Sequence, residues 1–327
     1  MSVLLIGVLL LVLSAEFVNG WTDAPNAIAT VVATRVISPA RAVVVAITLN
    51  VAGALSGTAV AHTIGAGIVE ASVIDLPTIA AALIALIIWS SVAARLGLPT
   101  SESHALVAGL AGAALAAAGP EALLWDGWKK VAIGLVFSSV VGFAGAWLIG
   151  SAIRSFFANT NPVRSKRLFD RMQIFSAAFM AYNHGLNDGQ KFIGVFTLAL
   201  VMGGVLPQFA IPTWVILLCA GVMGVGTAVG GWRIIRMLGE KMVRIESWQG
   251  FSAELAASGT ILAASTAGIP LSTTHTITTS IMGAAASYRA STVRWNYSRS
   301  ILYAWLLTFP VCGAVAFLFS MIFRLLA

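Results

Sequence analysis

Charge is what this sequence has least of. Only 9% of its 327 residues are Asp, Glu, Lys or Arg, against 59% hydrophobic, and the mean hydropathy is +0.93. Soluble domains carry about 25% charged residues, so an ordinary water-soluble fold is excluded. So is a disordered chain, which needs low hydrophobicity and high charge. Cysteine is nearly absent. Cys219 and Cys312 lie inside apolar runs, with neither metal spacing nor a disulfide framework, and they read as apolar packing. Alternating ten-residue stretches are missing as well, which argues against a transmembrane β-barrel. The apolar run at 2–17 lacks the basic start and the small-residue cleavage site of a signal peptide, and is expected to be the first membrane segment.

What the chain has instead is apolar length. Runs fall roughly at 2–36, 42–62, 76–96, 99–118, 130–153, 172–203, 212–232, 251–268, 271–287 and 299–323. A membrane helix needs about 20 mainly apolar residues, so the expected fold class is an all-α polytopic membrane protein. The net charge of +7 comes from 19 basic and 12 acidic residues. The basic ones cluster at Arg35/Arg41, Arg154–Arg171, Arg233–Arg244 and Arg289–Arg299, while 63–77 and 204–211 contain none. That is topology by the positive-inside rule, and no nucleic-acid signature is visible. It places both termini outside, with Lys129 and Lys130 as the exception. Trp125, Trp128, Trp214, Trp232, Trp248 and Trp295 stand near segment ends, where interfacial anchors belong.

Two runs are too long for one simple span. Asn19–Asn26 interrupts the first and Asn183–Lys191 the sixth. Gly, Pro and Asn there favour unwound backbone, which a membrane tolerates only inside protein or beside water. The same two places begin an internal repeat. Gly20-x-x-Asp23 matches Gly185-x-x-Asp188 at an offset of 165. Ala52-Gly53 with Gly57–Val60 resembles Ala220-Gly221 with Gly226–Val229 at 168 to 169. Pro99-x-Ser101-x-Ser103-His104 matches Pro270-x-Ser272-x-Thr274-His275 at 171. An odd number of spans separates the copies, so the chain reads as two inverted-topology repeats of about five segments, 1–153 and 172–327, joined by a basic cytoplasmic linker at 154–171. This is a secondary-transporter architecture, with the site expected at the repeat interface near the midplane. The pairs 76–118 and 251–287 either cross twice or dip in as re-entrant hairpins.

Ionisable groups inside apolar runs cost about 2.5–3.5 kcal/mol each at a helix centre. Candidates here are Asp23, Glu102, His104, Asp188, Lys191, Glu254 and His275. Pairing that only holds helices together is one explanation, and Asp188 and Lys191 stand at the required i,i+3 spacing. Their matched repeat positions favour a site. Each Pro-x-Ser-x-Ser/Thr-His segment puts Pro at a helix start and crowds hydroxyls around free N–H groups and the positive end of the dipole. Alone, each is an ordinary Ser/Thr cap. As an inverted pair they form an anion site for a tetrahedral oxyanion. Asp23 and Asp188, with the neutral oxygens of Asn26, Asn187 and Gln190, suit Na⁺ or a proton. Glu254 is either a third acidic ligand or an interfacial residue. His62 reads as structural. His104, His184 and His275 fall within the motifs. No nucleophile with an oriented base is evident, so an enzyme is not expected.

The segments His184–Lys191 and Asn19–Ala27 resemble the two Gly-Ala-Asn-Asp signatures of the inorganic phosphate transporter (PiT) family. Leu271–His275 and Thr100–His104 are similar to its two Pro-Val-Ser-Thr-Thr-His motifs, and Gly231–Glu254 resembles bacterial members. The likeness covers nearly the whole chain. It implies a multi-pass plasma (inner) membrane symporter of phosphate driven by Na⁺ or H⁺, with no other cofactor. By motif position the phosphate contacts would be Asp23, Asn26, Thr100, Ser101, Ser103, His104, Asp188, Ser272, Thr273, Thr274 and His275. The coupling-ion residues would be Asp23, Asn26, Asn187, Asp188, Gln190 and Glu254, with Na⁺ as the metal. Three residues depart from the pattern. Thr22 replaces the usual Asn, Glu102 replaces a small hydroxyl residue, and Asn50 stands where some relatives have Glu. Sulfate is the alternative substrate, and a passive channel a more distant one. Gly- and Ala-rich segments permit close helix contact and with it a homodimer.

Overall fold

A computed structural model describes residues 2–66, 69 and 73–326. Part of the connection at 63–77, which has no Lys or Arg, and the outermost residue of each repeat lie outside the described residues. The first half holds α1 (Val3–Ala33), α2 (Pro39–Ala54), α3 (Ala59–Ala66), α4 (Leu76–Leu96), α5 (Glu102–Ala118) and α6 (Trp125–Phe157). The second begins with α7 (Pro162–His184), a π-helical turn (Gly185–Gly189) and α8 (Gln190–Met202). It continues through α9 (Thr213–Val229), α10 (Trp232–Arg236) with a π turn to Met242, α11 (Ser247–Thr266), α12 (Thr273–Ala286) and α13 (Trp295–Leu326). There is no strand among the described residues.

Local chemistry sets the ends. Pro39 and Pro162 open α2 and α7 where no N–H is required. Asp75 caps α4 through the Thr78 amide at 2.8 Å, and Gly97, at φ 73°, ends that helix in the left-handed region. Helices α1, α4, α6 and α13 are each long and apolar enough to cross a membrane; α9 with Trp232–Met242, bent by 58°, makes a fifth span.

The breaks fall elsewhere than expected. Residues 19–26 do not unwind, and α1 runs through them as 31 residues with Pro25 inside. One proline forfeits one backbone hydrogen bond, whereas unwinding would strip several in an apolar setting. Residues 185–189 keep helical dihedrals but widen into a π turn, which inserts one residue without freeing a run of backbone. The interruptions in the backbone lie instead between α2 and α3 and at Gly230–Gly231. The 154–171 stretch is also mostly helix. Helix α6 reaches Phe157 and α7 starts at Pro162, leaving a four-residue turn. Its Lys and Arg residues are good helix formers, and Lys166 pairs with Asp170 one turn on, at 2.7 Å.

Helices α4 and α5, and likewise α11 and α12, pack against each other as two helical hairpins. Their tips, 99–104 and 270–275, are buried, and they meet where Ser103 Oγ donates to the Leu271 carbonyl at 3.0 Å. Helix α1 passes from one apolar cluster (Leu5, Val8, Val12) through polar residues 16–26 into a second (Ala27, Ile28, Val31). The α7–α8 rod runs the opposite way, from the second cluster (Ala177, Met180) through 183–191 into the first (Phe192, Val195). That is inverted topology expressed as packing. Exchanging the halves maps neighbours onto neighbours: α1 packs on α9 as α7 packs on α2, and α5 on α13 as α12 on α6.

Close approaches correct one repeat register. A Cβ on Gly20 would meet the Met223 carbonyl at 2.2 Å, and one on Gly185 the Asn50 carbonyl at 2.0 Å. Likewise Gly53 abuts the Tyr182 carbonyl at 2.0 Å and Gly226 the Phe17 carbonyl at 2.2 Å. Gly53 therefore corresponds to Gly226, five residues or about one and a half helical turns from the Gly221 that sequence similarity selects.

Candidate functional site

The site lies in the polar layer between the two apolar clusters, where α1, the π turn, α8 and the two hairpin tips converge. Ser101 and Ser272 are the N-caps of α5 and α12, accepting from the His104 and His275 amides at 3.3 and 3.1 Å. Their oxygens are thus engaged in capping. The residues just inside the caps face the centre. Thr274 Oγ1 donates to Asp23 Oδ1 at 2.9 Å and accepts from Asn26 Nδ2 at 3.0 Å. Thr273 Oγ1 donates to Asp188 Oδ2 at 2.6 Å. Ser103 accepts from the Lys191 ammonium, which also binds Asp188 and reaches the Leu271 carbonyl at 3.1 Å. Each repeat's aspartate is therefore linked, directly or through Lys191, to a hydroxyl near a helix N-terminus.

The π turn explains part of this. It brings His184, Asp188 and Lys191 to one side: His184 Nε2 stands 3.1 Å from Asp188 Oδ2, and its Nδ1 is 3.2 Å from Asn50 Oδ1. One ligand atom each from Asp23, His184 and Asp188 lie within 4.8 Å of one another, a group able to hold a cation. Thr22 and Glu102, the two departures from the family pattern, are bonded to each other at 2.6 Å. All these side chains are at most 4% exposed. Asn26 Oδ1, Glu102 Oε2 and both ring nitrogens of His275 are buried without a protein partner.

Not every expected residue arrives. Asn187 donates to Ser265 at 2.8 Å and Gln190 accepts from the Val60 amide at 2.9 Å; both tie the π turn and α8 to neighbouring elements. Glu254 sits apart, with Thr30, Ser176 and Gln173. The rings of His104 and His275 lie 4.7 Å apart, and His275 stacks on Trp305 at 3.6 Å. Both rings pack behind the tips. Thr100 is buried beside the first cap. Lys191 and His184 join the site although the family resemblance does not assign them to it. The i,i+3 and i,i+4 spacings to Asp188 were the visible signal.

Residues 19–316 match the phosphate transporter family. A "probable low-affinity inorganic phosphate transporter" of Bacillus subtilis is 38% identical over 333 residues, covering 99% of this chain and 100% of the relative. A protein of the same description from Rhizobium meliloti is 39% identical, covering 96% and 94%. A solved structure described as "the sodium-dependent phosphate transporter" superposes with a TM-score of 0.87 over 100% of both chains, at 23% identity, which bears on the fold. The family match, the near-full-length relatives and the apolar spans together identify the chain as a multi-pass membrane transporter belonging to the phosphate transporter family.

Proposed function

We propose that the chain imports inorganic phosphate across the plasma membrane by symport with Na⁺ or H⁺. Access to one central site would alternate as elements of the two repeats, 1–153 and 172–327, rearrange around it. The names of the near-full-length relatives support the substrate. The coupling rests on one observation: Asp23, Glu102 and Asp188 are three buried carboxylates of the central site, whose ammonium, Lys191, is bonded to Asp188. Fully ionised, they leave a formal charge of −2. Such a site repels an anion unless cations or protons arrive with it.

The roles follow from the donor set. Lys191 and the hydroxyls of Ser103, Thr273 and Thr274 would turn from the carboxylates to phosphate oxygens, with the α5 and α12 dipoles adding positive potential. The carboxylates, relieved of those donors, would take the cations, and one could accept a hydrogen bond from protonated phosphate. Sulfate has no such proton at neutral pH, which favours phosphate. Moving a dianion inward against −100 mV costs about 4.6 kcal/mol, at about 2.3 kcal/mol per charge. Two cations cancel that cost and a third makes uptake electrically driven.

The test is labelled phosphate uptake into proteoliposomes, with Na⁺ and H⁺ gradients imposed separately and excess sulfate present. Uptake should follow one gradient and resist sulfate. Asp23→Asn and Asp188→Asn should each abolish uptake while membrane insertion stays intact. Retained uptake in both variants, or indifference to both gradients, refutes the reading.

A further inference from the structure

Glu16, on α1, is fully buried, and Asn19, one turn further on, is 1% exposed. Asn19 Nδ2 donates to Glu16 Oε2 at 3.2 Å. The other oxygens of the pair, Glu16 Oε1 and Asn19 Oδ1, are buried without a hydrogen-bond partner. Glu16 takes part in none of the ion pairs among the described residues. It stands outside the central site, since Asp23, seven residues on, lies about 10 Å away along the helix axis.

The elements packed on α1 supply no counter-charge. Asp188 and Lys191 are the charged groups near enough to act on Glu16, and the first is itself negative. An ammonium has three N–H bonds, and those of Lys191 go to Asp188, Ser103 and the Leu271 carbonyl. His184 of α7 faces Asp188 and Asn50. From α9, the thiol of Cys219 lies near Glu16; each stands one turn before the contact of Gly20 with Met223. Arg41 of α2 and Arg95 of α4 lie at the basic, inner ends of their helices. The α10, α11 and α12 segments meet α1 further inward, through Gly231 at Trp21, Glu254 at Thr30 and Thr274 at Asp23.

A carboxylate with one neutral donor, a bare oxygen and no ion pair is costly at full charge in an apolar interior. Hard metal ions take about six oxygen ligands, and this pair offers two bare oxygens. A proton needs one. The position of the acid adds a direction. Outward from Glu16 the buried residues of α1 are Ala15, Val12, Leu9, Val8 and Leu5, in one apolar cluster with Phe192 and Val195 of α8. Loop charge puts this end of α1 outside. Glu16 is therefore the first buried polar side chain of α1 beneath a closed outer cluster. At the offset of 165 its repeat counterpart is Ala181, packed in the second apolar cluster. The acid is present on the outer side alone, so it does not serve a packing need that the two repeats share.

We infer that Glu16 is a proton-binding site on the outer side of the central site, and that the outer apolar cluster closes over bound phosphate only when Glu16 carries its proton. The inference rests on the alternating-access reading above and adds to it a proton-dependent outer closure. The sign follows from burial. The closed state holds the neutral acid and the open, hydrated state the carboxylate, so closure is favoured at low external pH and lost as that pH rises.

The test measures initial phosphate uptake into proteoliposomes as external pH is raised, with internal pH and the Na⁺ gradient fixed, for wild type and Glu16→Gln. Phosphate changes its own protonation equally in both, so the ratio of the two rates is read. Above its titration point the protonated fraction of Glu16 falls about tenfold per pH unit, whereas the amide is neutral throughout. The ratio of E16Q to wild type should therefore rise about fivefold or more from the acidic to the alkaline end. Cys219 gives a second readout that does not need transport. In a Cys312→Ala background, an external membrane-impermeant thiosulfonate should label Cys219 about fivefold more slowly in E16Q than in its parent at alkaline pH, because the neutral amide lets the outer cluster close. A merely structural Glu16 would give the opposite, looser packing and faster labelling. A constant rate ratio overturns the inference, and so does labelling that is equal or faster in E16Q. If E16Q fails to insert, Asn19→Leu, which removes the donor to the carboxylate, should move the fall in uptake to higher pH; an unmoved profile overturns the inference. Absence of phosphate uptake by the wild type at every pH overturns the transport reading instead, and the labelling comparison still decides Glu16.

Discussion

Lys191 is the residue on which the central site depends for stability. It is 1% exposed and bridges Asp188 of its own repeat to Ser103 and Leu271 at the two hairpin tips. Removing one member of a buried pair costs about 3–5 kcal/mol, because the other charge is left uncompensated. Lys191→Met should therefore lower the melting temperature in detergent markedly and abolish uptake. Adding Asp188→Asn should recover much of the melting temperature and none of the transport. If the double variant melts no higher than the single one, the pair is not what holds these elements together. The Asp188–Lys191 spacing is readable in the sequence, and so is the matched pair Asp23 and Asp188. The bridge to Ser103, 88 residues away, is not, because nothing local to either residue encodes it.

Among the elements, α2 and α9 are placed by glycines. Gly226 sits against the Phe17 carbonyl, while a Cβ on Gly221 would meet nothing within 4 Å. Gly226→Ala should force α9 off α1, at about 1–3 kcal/mol for overpacking, and reduce the yield of folded protein. Gly221→Ala should be neutral or slightly stabilising, since alanine is the better helix former. Detergent-extracted yield and melting temperature measure both. Equal behaviour of the two variants would return the repeat register to the one that sequence similarity selects. That similarity misplaced the register by about one and a half turns because small residues recur every three or four positions along an apolar helix, and only the partner backbone distinguishes them.

For the molecule as a whole, the two repeats are interleaved. Helix α13 packs on α4 and α5 of the first half, and α6 on α11 and α12 of the second. Each helical hairpin is therefore packed against the last helix of the other repeat. Ser320 Oγ on α13 reaches the Ala113 carbonyl of α5 at 3.1 Å. Cysteines placed by Ala113→Cys and Ser320→Cys, joined by a short bifunctional maleimide, should leave phosphate uptake near the wild-type level, because the joined elements travel together. A cross-link that stops uptake would mean that α5 and α13 part during transport.

Composition, hydrophobic run length and loop charge are sums over short windows, and they sufficed for the membrane class and the expected orientation. The signature motifs, being contiguous, carried the family and the inverted repeat. Glu254 could be noticed as an acid in an apolar run. Its separation from Asp23 and its neutral cage became visible only once α1, α7 and α11 were packed together. The continuity of α1 through Pro25, the π turn, the meeting of the hairpin tips and the exchanged last helices have the same origin. Helical hydrogen bonds are satisfied within a segment, so sequence patterns report them. The lateral register of one helix on another is decided by backbone approach and side-chain fit between residues up to 251 positions apart, which no window along the chain contains.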